Sequence, residues 1–330
     1  MKTETSQDNW QAKAELDTLR ARAGIYEKIR DFFKQRQVLE VDTPILSVAS
    51  TPDPNIDSFE THYISFAGES LSDRRYLSTS PEFPMKRLLA TGSGSIYQLC
   101  HVFRQAEQGK HHNPEFTMLE WYRVELGYYQ LMDEVAELVG TLLQTKIETE
   151  VLSYQTVFLQ YLNIDPLDTS VTELQQCADQ FGLVSPDKDA NDKDLFLDFL
   201  MSHQIQPQLG KNKLTFIHEY PASQCAFAEL SAENTQVAQR FELFYRGVEL
   251  ANGYQELTDA KEQQHRFEAH NQKRAQQGKP YVSWDQNLVN ALEQGMPRCS
   301  GVALGVDRLI QLARNVKNIE DVLAFPFNRA

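Results

Sequence analysis

Four places along this chain of 330 residues hold side chains able to handle a charged small molecule. The first is Arg104, which ends the run "SIYQLCHVFR" (95–104). A guanidinium holds phosphate bidentately and keeps its charge at any relevant pH, although alone the residue reads as a solvated hairpin arginine. The second is "HNPEFTMLEWYR" (112–123). Alternate strand residues share a face, so Phe116, Met118, Glu120 and Tyr122 lie on one side, with Thr117, Leu119 and Trp121 on the other. The third is "VELANGYQEL" (248–257), with Glu249 and Glu256 on either side of Asn252-Gly253. A two-residue turn at Asn252-Gly253 puts the two carboxylates directly opposite each other. A turn at Arg246-Gly247 instead makes Asn252-Gly253 a bulge that returns both to one face. Either reading brings like charges together, which is unfavourable unless a cation sits between them, and oxygen donors of this kind suit Mg²⁺. The fourth is "CSGVALGVDRL" (299–309). Gly301, Ala303 and Gly305 let a flat ligand approach, and Arg308 can sit over a terminal phosphate; helix capping by Asp307 beside a surface arginine is the plainer account.

The elements that must position these groups are legible in outline. Ile25, Ile29, Phe32 and Phe33 fall at helical spacing within 10–37. "VLEVDTPIL" (38–46) predicts a short strand stopped by Pro44, followed by a Pro/Asp/Ser loop at 50–60. "YLSTSPEFPMKRLLATGSG" (76–94) predicts a strand and then a helix, with Ser80 as N-cap, Pro81 at the first helical position and Gly92 beyond the end. Glu82 then lies in the first turn, where the helix dipole favours a carboxylate; the functional alternative is an anion waiting for an ammonium. The runs 95–104 and 113–123 form a hairpin around the polar loop "QAEQGKH", and a helix follows at 129–145. Residues 152–212 are helix-patterned, contain the polar tract "SPDKDANDKD", and read as an insertion into a single domain spanning 1–330. Strand patterns return at 213–221, 240–250 and 251–257. Residues 259–278 predict a helix laced with i,i+4 charge pairs, and 301–315 a strand or turn entering a helix with Val306, Leu309, Ile310 and Ala313 on one face. The order lacks regular βαβ alternation, so the expected fold class is α+β with a largely antiparallel sheet.

Composition excludes several function classes. The net charge of −14 disfavours nucleic acid as the main partner and suits a small cationic substrate. No apolar run is long enough for a membrane span, and the N-terminus lacks a secretory h-region, so a cytoplasmic protein is expected. Cys100, Cys177, Cys225 and Cys299 are far apart and read as reduced thiols. There is no GxxxxGK[ST], GxGxxG, HExxH or GxSxG motif, so phosphate must be held by side chains. His111 and His112 lack partners at metal-ligand spacing and read as loop residues.

Taken in order, "VLEVDTP", "VFRQAEQGKHHNPEFTMLEWY", "ELANGYQEL" and "GVALGVDRL" resemble motif 1, motif 2, the metal-binding segment and motif 3 of the class II aminoacyl-tRNA synthetase catalytic domain, in its lysyl branch. The resemblance spans nearly the whole chain. Motif 1 begins within about 45 residues of the start, so an anticodon-reading OB-fold is not expected. The chain is then similar to the lysyl paralogues that aminoacylate elongation factor P. Two further departures from the lysyl pattern stand out: Ala303 replaces a usual glycine, and Ala106 stands where motif 2 has glutamate, with Glu107 one residue on.

The resemblance implies ATP-dependent activation of (R)-β-lysine or lysine as an adenylate, transfer to a lysine side chain of elongation factor P, ATP and Mg²⁺ as cofactors, and a homodimer built on motif 1. It implies that Ser80, Pro81, Glu82, Tyr122, Glu256 and Ala303 bind the amino acid. ATP falls to Arg104, Gln105, Ala106, Glu107, Asn113, Glu249, Leu250, Gly305 and Arg308, with Arg104 on the α-phosphate and Arg308 on the γ-phosphate. Glu249 and Glu256 are the expected metal ligands. The rival readings are a tRNA-charging lysyl enzyme and an idle paralogue acting as a regulatory binding protein.

Overall fold

The computed structural model describes residues 10–64, 72–184 and 192–330; the leader reading at 1–9 and the polar tract over 185–191 fall outside them. The chain opens with α1 (Leu16–Gln35), β1 (Leu39–Glu40), β2 (Leu46–Ser47), β3 (Glu60–Ile64), β4 (Ser72–Leu77) and α2 (Glu82–Ala90). The hairpin β5 (Ile96–Phe103) and β6 (Glu115–Val124) follows, then α3 (Tyr128–Leu143) and β7 (Thr149–Ser153). Helices α4 (Tyr154–Leu162), α5 (Val171–Gln180) and α6 (Lys193–Leu200) precede β8 (Leu214–Pro221), β9 (Val237–Tyr245) and β10 (Val248–Gln255). The chain closes with α7 (Ala260–Gln276), α8 (Gln286–Gly295), β11 (Cys299–Gly305) and α9 (Val306–Ala313).

Eight strands form one sheet in the order β1-β5-β6-β11-β10-β9-β8-β7, antiparallel from β5 to β8 and parallel only at its two edges. The expected α+β class with a largely antiparallel sheet is what forms. β2, β4 and β3 make a smaller antiparallel sheet. "VLEVDTPIL" yields only two short pairings, because the chain leaves the sheet edge before Pro44 and rejoins β4 beyond it.

Period-two alternation decides which face of the sheet is core. Leu119 and Trp121 of β6, Val302 and Leu304 of β11, and Phe241 and Leu243 of β9 point back and are sealed by α1 and α3. Phe33 of α1 stacks on Tyr97 and meets Trp121 edge-on at 5.4 Å, while Trp121 Nε1 donates to Glu134 Oε1 at 3.0 Å. Truncating a side chain buried like Trp121 costs about 3–5 kcal/mol. The opposite face is the floor of the site. Helices α4 to α6 surround their own apolar cluster and lean on Ile217, Tyr220 and Phe244 of β8 and β9.

Local details depart from the sequence reading in ways that bear on the site. α2 begins at Glu82 with Pro81 as its N-cap; Ser80 still caps, since its Oγ accepts from the Glu82 backbone N–H at 2.9 Å. The β9–β10 turn is at Arg246-Gly247, both at positive φ. The bulge falls at Leu250, between Glu249 and Ala251, rather than at Asn252-Gly253. Gly253 is required for another reason: a Cβ there would strike the Phe241 ring and the Gly301 carbonyl. α7 holds an Arg266–Glu262 pair at 2.8 Å, but Lys273 and Arg274 reach across to Asp194 and Asp57. Ala313 is exposed, because α9 is already leaving its core face there.

Candidate active site

The open face of the sheet, roofed by α2, α7 and the loop 49–56, encloses a cavity of about 630 Å³. Its floor is the front-facing set that alternation assigns: Phe116, Met118, Glu120 and Tyr122 from β6, Gly301, Ala303 and Gly305 from β11, and Asn252 and Tyr254 from β10.

One end is cationic. Arg104 Nε donates to the Thr79 carbonyl at 3.3 Å, its guanidinium lies over the Phe116 ring at 5.2 Å, and Nη1 is 3.6 Å from Glu107 Oε1. Arg308 is not a surface arginine. Nη1 donates to the Glu249 carbonyl at 3.0 Å and lies 3.5 Å from the Glu249 carboxylate, while Nη2 donates to His112 Nε2 at 2.7 Å. Asp307 does not cap α9, whose N-cap is Gly305. It pairs with Arg22 at 2.6 Å and accepts from the Thr117 backbone N–H at 2.9 Å, tying α9 to α1 and β6. Burial and the neighbouring Arg308 hold His112 below its ordinary pKa, so its ring is neutral and free to accept.

The other end is acidic and dry. Glu120 is 3% exposed; its carboxylate accepts from Tyr122 Oη at 2.6 Å and Ser80 Oγ at 2.8 Å. Burial, with Glu82 nearby, pushes its pKa up to about 8. Glu256 is 1% exposed and lies 2.6 Å from Lys86 Nζ, which also donates to Glu82 Oε1 at 2.7 Å. Burial pushes the Glu256 carboxyl up and Lys86 pulls it back. Gly301 is required here, since a Cβ would collide with both Glu256 and the Tyr122 ring.

One metal ion held by both Glu249 and Glu256 is the expectation from the sequence. Glu249 and Glu256 do share a face, because the bulge at Leu250 absorbs the odd spacing. At about 3.3 Å per residue, however, they lie about 20 Å apart along the chain, and each faces its own cation. Among the described residues no group of three or more His, Cys, Asp or Glu is placed to hold a metal. Mg²⁺ takes one or two protein carboxylates together with substrate phosphates and waters. Glu249 fits that need, with the buried, unpartnered Oδ1 of Asn252 on the same face. Next to them Glu242 is pushed up to about 7 by burial and by Glu249.

Of the other expected residues, Ser80, Glu82, Tyr122, Ala303, Glu107, Asn113, Leu250 and Gly305 line the cavity. Asn113 has both side-chain ends engaged, donating to the Glu115 carbonyl and accepting from Phe327 N. Pro81, Gln105 and Ala106 do not line it. Pro81 is buried at the cap, Gln105 turns away to donate to the Ser58 carbonyl at 2.8 Å, and Ala106 is exposed at φ +60°. Glu107 is thus the carboxylate of "RQAE" that faces the cavity. Sequence reasoning passed over Lys86, His112 and Asn252. Lys86 was signalled only by its spacing of four from Glu82, and His112 by nothing local.

Residues 8–329 match the family of class II tRNA synthetases (D, K and N). The chain is 48% identical over 323 residues, 98% of both chains, to the Elongation factor P–(R)-β-lysine ligase of Hamiltonella defensa subsp. Acyrthosiphon pisum (strain 5AT). It is 49% identical over 321 residues, 97% of this chain and 98% of the relative, to the proteins of that name from Salmonella typhi and Salmonella enteritidis PT4. With this sheet beneath a cavity cationic at one end and acidic at the other, the chain belongs to the class II tRNA synthetases of the D, K and N group and, within them, to the elongation factor P–(R)-β-lysine ligase family.

Proposed function

We propose that the chain activates (R)-β-lysine with ATP and transfers it to a lysine side chain of elongation factor P. The observation that supports this reading best is the polarity of the cavity. Arg104, Arg308 and His112 suit a triphosphate at one end, and Glu82, Glu120 and Glu256 suit a diammonium substrate at the other. A substrate carboxylate oxygen attacks the α-phosphorus and pyrophosphate leaves. Arg104 neutralises charge developing on the α-phosphate and Arg308 grips the terminal phosphate; fixed cations of this kind supply the largest share of such catalysis. Glu107 and Asn113 border the nucleotide. Glu249 and Asn252 Oδ1 would hold Mg²⁺ against the phosphates, where the ion supplies positive charge to the departing pyrophosphate. The acceptor amine then attacks the acyl carbon, forming an amide and releasing AMP. Among the described residues no side chain is placed as an obvious base, so a phosphate oxygen of the adenylate takes the proton.

The assembly we infer is a homodimer. Leu39, Ile45, Leu46 and Val48 are exposed around the edge strand β1, an apolar border suited to a second copy. Among the described residues no helix is long and apolar enough to cross a membrane.

The test is mass spectrometry of elongation factor P after incubation with ATP and (R)-β-lysine. A mass gain of one β-lysyl group is expected. An unmodified factor alongside charged tRNA would overturn the reading in favour of tRNA aminoacylation, and no ATP binding at all would favour an idle paralogue.

A further inference from the structure

Lys86 has no part in the mechanism above, yet it is a charged side chain 1% exposed at the acidic end of the cavity. Its ammonium sits between Glu82 Oε1 at 2.7 Å and Glu256 Oε2 at 2.6 Å, with the Phe227 ring 4.8 Å away. A buried ammonium is tolerated only when paired and hydrogen-bonded. Burial lowers its proton affinity, but Glu256 and Glu82 more than offset this, so Lys86 stays charged.

The surrounding charges come from several elements. α2 supplies Glu82 and Lys86 itself, β6 supplies Glu120 and Tyr122, and Glu256 follows β10. Tyr254, Cys100 beside Glu120 and, beyond Glu256, Glu229 and Cys299 are further titratable groups coupled to this cluster. Two carboxylates, Glu82 and Glu256, hold one fixed cation, and Glu120 stands beside those two carboxylates. When Glu82, Glu120 and Glu256 are all ionised, the cluster carries two uncompensated negative charges, the number of ammonium groups on a diamino acid.

We propose that Lys86 is a positioning and specificity residue: it locks Glu82 and Glu256 in place and trims the charge so that the site selects a diammonium substrate. This rests on the reading of the site as an amino-acid pocket. Without Lys86, Glu82 and Glu256 face each other unpaired, and one of them must swing away or take up a proton. Either response removes an acceptor from the substrate's ammonium groups while leaving the ATP end intact.

The experiment compares wild type, K86M and K86R in ATP–pyrophosphate exchange, with ATP KM and melting temperature as controls. Loss of one charge-assisted contact corresponds to roughly 10–100-fold, so K86M should raise KM for (R)-β-lysine by about that factor. Its kcat and ATP KM should stay within about threefold, and K86R should recover most of the loss. Preference for (R)-β-lysine over an analogue lacking the distal amine should also fall in K86M. An unchanged or lower KM in K86M would overturn the proposal, the latter by showing that Lys86 competes with substrate. A joint fall in kcat, ATP affinity and melting temperature that K86R also shows would reduce Lys86 to a structural role. Wild-type exchange with (R)-β-lysine tests the underlying reading separately. Should it be absent, thermal-shift binding of lysine isomers to the three proteins still decides the role of Lys86.

Discussion

Ala303 of β11 stands directly opposite Glu120 of β6 in the sheet register. A methyl group therefore borders the buried carboxylate at the acidic end of the cavity. Replacing Ala303 with glycine removes that methyl and opens the floor. The expected result is a shift in preference from (R)-β-lysine towards α-lysine of about tenfold, the range one methylene-sized change commands. The ratio of kcat/KM for the two isomers checks it; an unchanged ratio removes Ala303 from specificity.

Arg104 enters the cavity from the end of β5, held by the Thr79 carbonyl, by Glu107 at 3.6 Å and by the face of the Phe116 ring at 5.2 Å. With so little holding it elsewhere, it is free to meet a phosphate. Arg104→Ala should lower kcat for ATP–pyrophosphate exchange by about 100–1000-fold, with the melting temperature nearly unchanged. Retained exchange would show that another group neutralises the α-phosphate.

Glu249 and Glu256 should separate kinetically. Glu256→Gln should raise KM for the amino acid by roughly 10–100-fold and leave ATP KM alone. Glu249→Gln should instead raise the Mg²⁺ concentration required for half-maximal exchange. Identical metal titrations for the two variants would restore a shared clamp.

Glu120 makes the site pH-sensitive. Its carboxyl is pushed up to about 8, against about 4.5 in the unfolded chain. Between those values the folded protein holds a proton that the unfolded chain has released, so this group's contribution to stability falls as pH rises. The melting temperature of the ligand-free protein should therefore decline from pH 5 to 8, and less steeply in E120Q. An arriving ammonium favours the ionised carboxylate and expels the proton. Apparent affinity for (R)-β-lysine should then improve from pH 6 to 8, with proton release measurable by calorimetry in buffers of different ionisation enthalpy. Affinity flat across that window would mean Glu120 is already ionised.

Gly301 admits no side chain, since Glu256 and the Tyr122 ring occupy the space a Cβ would take. Gly301→Ala should displace Glu256, raising KM for the amino acid by at least about tenfold. A wild-type KM would show that the carboxylate moves freely, contrary to its ion pair with Lys86.

Much of this site could be read from the residue order because strand alternation is a local property. Phe116, Met118, Glu120 and Tyr122 share the floor for no reason beyond period two, and Leu119 and Trp121 are core for the same reason. The helix start after Ser80 also follows from local backbone preferences, whereas residue order leaves the β9–β10 turn open between Asn252-Gly253 and Arg246-Gly247. Register across strands is not local. The turn at Arg246-Gly247, which sets Glu249 and Glu256 far apart on one strand, and the bulge at Leu250, which returns them to one face, depend on how β10 meets β9 and β11 at once.

The sequence by itself determined the strand faces and the start of a helix just after Ser80, since each follows from a residue and its near neighbours. Only the tertiary structure decided the partners. Lys86 looks like an exposed i,i+4 mate of Glu82 until β10 delivers Glu256 to its other side. Likewise Arg308 gains His112 and Glu249 from segments remote in sequence. The physical reason is burial: a charge removed from water must be met by another, and which one is available depends on how distant strands are brought together.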